Sequence, residues 1–212
     1  MTGWIRRSFG SIGLTQIPTG PYLPDLQAQY GGTVMLMIDV SGSMHGRPIL
    51  EAVRGAQRFV AEAVEANYKV GVMLWNTRVV SVCDPEADGA GSLRLLAPVT
   101  SASGGNDLIE PLRSCHRILD GFTGDRVVAL FGDGDLSPKD QVLTKVAQMK
   151  ADNIRFVTRG LGATAAREFA EISDESAESA RVEGVQELAD EIAGMASGLK
   201  AGARPNKRQI LP

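Results

Sequence analysis

Short unbroken apolar runs alternate along the chain with longer stretches in which apolar residues recur every three or four positions. The first run, Val34-Met35-Leu36-Met37-Ile38, lies between Gly31-Gly32 and Ser41-Gly42. Without polar alternation, it predicts a strand buried on both faces of a parallel sheet. Residues 69–75, 126–131 and 154–158 read the same way. Ile49, Val53, Ala56, Val60 and Ala63 form one stripe of a helix over 47–66. Further helices are predicted over 108–119, from Ser137 to 150, over 165–172 and over 185–199. In the last, Leu188, Ile192 and Met195 face inward; in the second, Ser137-Pro138-Lys139-Asp140 supplies a Ser cap, Pro at the first helical position and an acid at the third.

Asn76-Thr77 suits a hairpin into residues 78–83, so that strand is expected at an antiparallel edge. Residues 84–91 read as a polar loop, 93–96 as a short extended piece and 181–183 as a short last strand. Strands alternating with helices predict an α/β fold: a doubly wound, mostly parallel six-stranded sheet with one antiparallel edge strand and helices on both faces. The domain is expected over 31–199. It is preceded by an extension, 1–30, with Pro18, Pro21 and Pro24, and followed by a basic tail, 200–212, with Lys200, Arg204, Lys207, Arg208 and no acid.

Composition narrows the function classes. The 212 residues suit one domain, and 43% hydrophobic residues allow a sizeable core. A net charge of -3 and 5% aromatics argue against a nucleic-acid surface. No apolar run approaches the ~20 residues of a membrane span. Arg6-Arg7-Ser8-Phe9 resembles a twin-arginine signal but is followed by no apolar region and no small-residue cleavage site. Cys83 and Cys115, each in or beside an apolar segment, are expected as buried free thiols, which points to a reducing, cytoplasmic location. With His45 and His116 they make no zinc set.

The candidate chemistry sits where the first strand ends. Asp39-Val40-Ser41-Gly42-Ser43 carries a carboxylate and two hydroxyls at alternate positions. Ligands of open α/β sheets bind outside the carboxyl ends of strands, and hard cations take oxygen ligands. The ordinary alternative is a strand-ending turn that caps the next helix.

Asp39-Val40-Ser41-Gly42-Ser43-Met44 resembles the metal-ion-dependent adhesion site of the von Willebrand factor A (vWA) family, whose hallmark is Asp-x-Ser-x-Ser. Gly104-Gly105-Asn106-Asp107 is similar to that family's second loop and Gly132-Asp133-Gly134 to its third; the strand ending IRFVTRGLG also matches, and the resemblance covers about 31–199. It implies a metal site of Asp39, Ser41, Ser43, Asn106 and Asp133 holding Mg²⁺, or Mn²⁺ or Ca²⁺. The acids act mostly through waters, and an Asp or Glu of a protein partner fills an open position. The helix N-termini after these loops disfavour a cation but attract an incoming anion together with the metal. Asn106 stands where the family has Thr, and Asp107 replaces it if the loop shifts by one residue.

The implied function is a stand-alone cytoplasmic adaptor without catalysis. Such proteins work beside AAA+ ATPases, in metal-insertion or tellurite-resistance-like systems, or in conflict systems. Two alternatives stay open. One is a vWA scaffold with a degenerate site, suggested by Asn106. The other is a haloacid-dehalogenase-like phosphatase using Asp39 and Gly132-Asp133-Gly134-Asp135, although Ser41 stands where that chemistry needs a second Asp. Asp135 and His45 read as rim residues, His116 as helix surface or core, and Trp75 as packing. Gly160-Leu161-Gly162 mimics a dinucleotide loop but follows a late strand, with no acid about 20 residues on.

Overall fold

A computed structural model describes residues 31–202 apart from 135, 176–180 and 183. The expected arm (1–30), most of the basic tail and Asp135 lie outside the described residues. The elements are β1 (Gly32–Asp39), a single 3₁₀ turn (Gly42–Met44), α1 (Arg47–Glu65), β2 (Lys69–Trp75), β3 (Val79–Glu86), α2 (Ala90–Leu96), α3 (Ile109–Leu119), β4 (Asp125–Gly132), α4 (Lys139–Ala151), β5 (Ile154–Leu161), α5 (Ala163–Ala170), the two-residue β6 (Arg181–Val182) and α6 (Leu188–Gly202).

The sheet order is β3-β2-β1-β4-β5, with β6 beside the end of β5. β1 pairs in parallel with β2 and β4, β4 with β5, and β3 antiparallel to β2 at the edge. The expected mostly parallel sheet with one antiparallel edge is therefore present. From β1 the chain winds outward through β2 and β3, then returns to lay β4 on the other side of β1. The carboxyl ends of β1 and β4 form the switch-point crevice.

Side-chain alternation on β1 explains its unbroken apolar run. Val34, Leu36 and Ile38 enter one buried layer with α1 and α6. Met35 and Met37 enter the other, with Leu112 of α3, Val142 and Met149 of α4, and Phe169 of α5. α1 and α6 meet at Gly55, where a Cβ would stand 2.7 Å from the Ala189 carbonyl oxygen.

Two expectations fail for identifiable reasons. Residues 84–96 are not a loop followed by an extended piece: β3 continues to Glu86, and 90–96 form α2. Asp88 Oδ1 accepts the Ala90 N–H at 3.0 Å and Glu86 Oε2 the Gly91 N–H at 3.0 Å. Gly89 supplies the left-handed turn at φ 63°. Ser92 and Leu96, one turn apart, are buried, and Ser92 Oγ donates to the Val70 carbonyl. Seven residues are too few to display a helical period.

α4 likewise starts at Lys139, with Pro138 extended at the cap position and no side-chain cap. The Ser137 carbonyl accepts the Leu108 N–H at 3.0 Å, which ties the approach to α4 to the start of α3. Cys115 is buried but Cys83, on the edge strand, only half-buried; both are free thiols. Trp75 is fully buried packing.

The amino end of the sheet is closed by a polar clamp. Arg155 Nε and Nη2 donate to Asp125 Oδ1 and Oδ2 at 2.9 and 2.6 Å, and the Tyr68 hydroxyl donates to Oδ2 at 2.6 Å. Burial and these acidic contacts push the Tyr68 hydroxyl pKa upward. Gly32 lets the Tyr68 ring lie against β1, since a Cβ there would come within 2.1 Å of it.

Candidate functional site

Three loops converge on the carboxyl ends of β1, β2 and β4. Asp39, the last residue of β1, is fully buried. The chain turns at once, and Asp39 Oδ1 accepts the Ser41 N–H at 2.7 Å. This local ring brings the Ser41 and Ser43 hydroxyl oxygens to 3.1 Å from each other. Ser43 Oγ donates to Asp133 Oδ1 at 2.7 Å, so the first loop touches the third.

The second loop is fastened to the first by backbone. Gly42 N–H donates to the Gly104 carbonyl at 2.9 Å, and Ser103 N–H to the Val40 carbonyl at 2.8 Å. Asn106 reaches the third loop: a Cβ on Gly134 would stand 1.7 Å from Asn106 Nδ2. Asp107 turns elsewhere, its Oδ1 accepting the Ile109 N–H at 3.0 Å at the start of α3. The structure thus brings together Asp39, Ser41, Ser43, Asn106 and Asp133, and assigns Asp107 to the helix start.

Asp39 is electrostatically unfinished. Its Oδ2 is buried without a hydrogen-bond partner. Burial pushes the carboxyl up to about 6; the Ser41 backbone N–H and hydroxyl pull it down part-way, the charge on Asp133 pushes it up, and the Asp133 backbone N–H lowers it slightly. Gly132 gives the carboxylate room, since a Cβ there would come within 3.1 Å of Asp39 Oδ2. An orphaned carboxylate oxygen beside two hydroxyls and a second carboxylate suits a small hard cation. Adjacent ligands of an octahedral ion with bonds of 2.0–2.1 Å lie about 3 Å apart. The 3.1 Å Ser41–Ser43 and 2.7 Å Ser43–Asp133 separations match that edge. Among the described residues no group of three or more His, Cys, Asp or Glu could hold a metal ion, so any donor set here would have to include the hydroxyls.

Of the other candidates, His45 lies exposed on the rim with Nδ1 3.3 Å from the Ala102 carbonyl. His116 is buried, its Nδ1 2.6 Å from Lys145 Nζ and its Nε2 3.0 Å from Asp152. Neither is at the site. Sequence reasoning missed Asn76, read only as a hairpin residue. Its side chain donates to the Ser103 carbonyl and its own carbonyl accepts the Asp107 N–H. Its place at the carboxyl end of β2, beside β1, was the available signal.

Residues 34–135, which carry all three loops, match the family model of the von Willebrand factor type A domain. The chain carries a von Willebrand factor A domain. A vWA domain-containing protein of Dictyostelium discoideum is 24% identical over 157 residues, 72% of this chain and 19% of the relative. The match thus spans about a fifth of that curated relative's length. Two solved structures share the fold. The vWF domain of the type V pili tip protein Mfa5 from Porphyromonas gingivalis has a TM-score of 0.68 at 12% identity, covering 85% of this chain and 98% of that one. The pilus adhesin SpaC from Lactobacillus rhamnosus GG has a TM-score of 0.65 at 13% identity, covering 80% and 30%. Among the described residues of this vWA domain, no helix is long and apolar enough to cross a membrane.

Proposed function

We propose that this vWA domain binds a protein partner through a divalent cation, Mg²⁺ or else Mn²⁺ or Ca²⁺, held by Asp39, Ser41, Ser43, Asn106 and Asp133. The observation that carries this is the buried Asp39 carboxylate, with an unpartnered Oδ2 beside the paired Ser41 and Ser43 hydroxyls. An ion there supplies a Lewis acid for a carboxylate of the partner. This chain's own residues would hold the ion, the Asp39–Ser41 turn placing the two hydroxyls beside the buried carboxylate. The role is non-enzymatic: an adaptor in a multi-protein system, such as one driven by an AAA+ ATPase, acting in the cytoplasm. The free thiols Cys83 and Cys115 are consistent with that compartment. Nucleic acid and membrane are not its targets, and the domain over 31–199 is flanked by an arm and a basic tail available for further contacts.

The test is calorimetric titration of Mg²⁺, Mn²⁺ and Ca²⁺ into chelator-stripped protein, beside Asp39→Ala and the double variant Ser41→Ala, Ser43→Ala. One ion bound by the wild type and lost in both variants, with circular dichroism unchanged, supports the reading. Partner capture that survives in the double variant overturns it. A second reading, a scaffold with a degenerate site, is favoured by the Asn106 departure from Thr and predicts no uptake at millimolar ion.

A further inference from the structure

Asn76 is not one of the five metal-facing residues, yet it holds the loop that carries one of them. Each of its polar groups is used. Its N–H donates to the Arg78 carbonyl at 3.1 Å and its Oδ1 accepts the Arg78 N–H at 3.3 Å, which closes the β2–β3 hairpin. Its other two groups leave the hairpin. Nδ2 donates to the Ser103 carbonyl at 2.8 Å, and the main-chain carbonyl accepts the Asp107 N–H at 3.1 Å. These bonds grip the second loop at both ends, so Gly104, Gly105 and Asn106 arch between them.

The arch fits closely. Gly104 has φ +96°, and a Cβ on it would stand 2.7 Å from Asn76 Nδ2. The Gly104 carbonyl in turn receives the Gly42 N–H, and the Ser103 N–H goes to Val40. A chain of fixed contacts therefore runs from the Asn76 amide through the second loop to Gly42, between Ser41 and Ser43.

We infer that Asn76 is the positioning residue of the metal site: its amide sets where Asn106 and the Ser41–Ser43 turn stand relative to one another. This inference rests on the metal reading above. It separates two functions of one side chain, since Oδ1 serves the hairpin and Nδ2 the site. Asn76→Ser keeps an acceptor for the Arg78 N–H but is too short to reach Ser103. Asn76→Ala removes both.

The experiment compares the full chain with both variants in two measurements. Amide hydrogen exchange of the metal-free proteins is read at Gly42, Ser103 and Asp107 against the β1 amides. Mg²⁺ affinity is read by calorimetry. Exchange at those three amides is expected to accelerate in Asn76→Ser with β1 unchanged, and Mg²⁺ affinity to fall about tenfold or more, as for losses of supporting residues around metal sites. Unchanged exchange at the three amides overturns the inference. So does acceleration spread evenly over the sheet, or loosened loops with undiminished affinity. If the wild type takes up no ion, the metal reading fails by itself, and the exchange pattern still decides whether Asn76 holds the loop.

Discussion

Two carboxylates sit at opposite ends of the same sheet and have met opposite fates. Asp125, at the amino end, is satisfied: a two-point contact from Arg155 and a hydroxyl from Tyr68 occupy both oxygens. Asp39, at the carboxyl end, is buried more completely, yet one oxygen has no partner and its pKa rises to about 6. Burial of a charge is costly unless it is paired, and the fold meets that cost at one end while leaving it standing at the other. On the proposed reading, the difference separates a carboxylate that stabilises the fold from one kept available for a cation.

The comparison can be broken by removing each group. The largest effect is expected at the clamp. Asp125→Ala strands a largely buried Arg155 and should lower unfolding free energy by about 3 kcal/mol or more in a urea titration; a loss under about 1 kcal/mol would make the clamp ornamental.

At the other end the sign reverses. Asp39→Asn should raise the stability of the metal-free protein by about 2 kcal/mol at pH 7, because it deletes an unfavourable buried charge. A carboxyl whose folded pKa lies near 6, against 3.8 in the unfolded chain, makes the folded state the stronger proton binder between those values. Wild-type stability from this group therefore rises as pH falls from above 6 towards 4, and the advantage of Asp39→Asn fades over that range. Melts at pH 4, 5, 6 and 7 check this, and a destabilised Asp39→Asn at pH 7 would show the carboxylate to be satisfied after all.

Two smaller effects sharpen the site. Gly134→Ala must push the flexible end of Asn106 aside; Mg²⁺ affinity should drop severalfold while stability changes by less than about 1 kcal/mol. Equal affinity in that variant would remove Asn106 from the ligand set. Asp107→Ala should cost about 1 kcal/mol through the α3 start, with little change in ion binding.

How much the sequence reveals follows the same division. β1 and Asp39 are legible because a doubly buried strand must be apolar throughout and must stop at a polar group. The fold class is legible because such strands alternate with amphipathic helices. The clamp is not, since Tyr68 and Asp125 are 57 positions apart and neither stands out in its own segment. α2 is hidden by its shortness, and α4 starts one residue later than its Ser-Pro signal suggests, so that Pro138 rather than Ser137 takes the cap position. Asn76 shows its hairpin role, which is local, and hides its grip on the second loop, which depends on how the chain returns to β4.

The Gly55 seam between α1 and α6 has a consequence for synthesis. Val34, Leu36 and Ile38 of β1 share their layer with Leu188, Ile192, Met195 and Leu199 of α6, the last described element to leave the ribosome. At elongation rates of 5–20 residues per second, α1 waits roughly ten seconds for the helix that seals it. During that interval a nascent chain with its central strand already made carries an uncovered apolar flank. The helix Leu188–Gly202 is thus the latch of the fold.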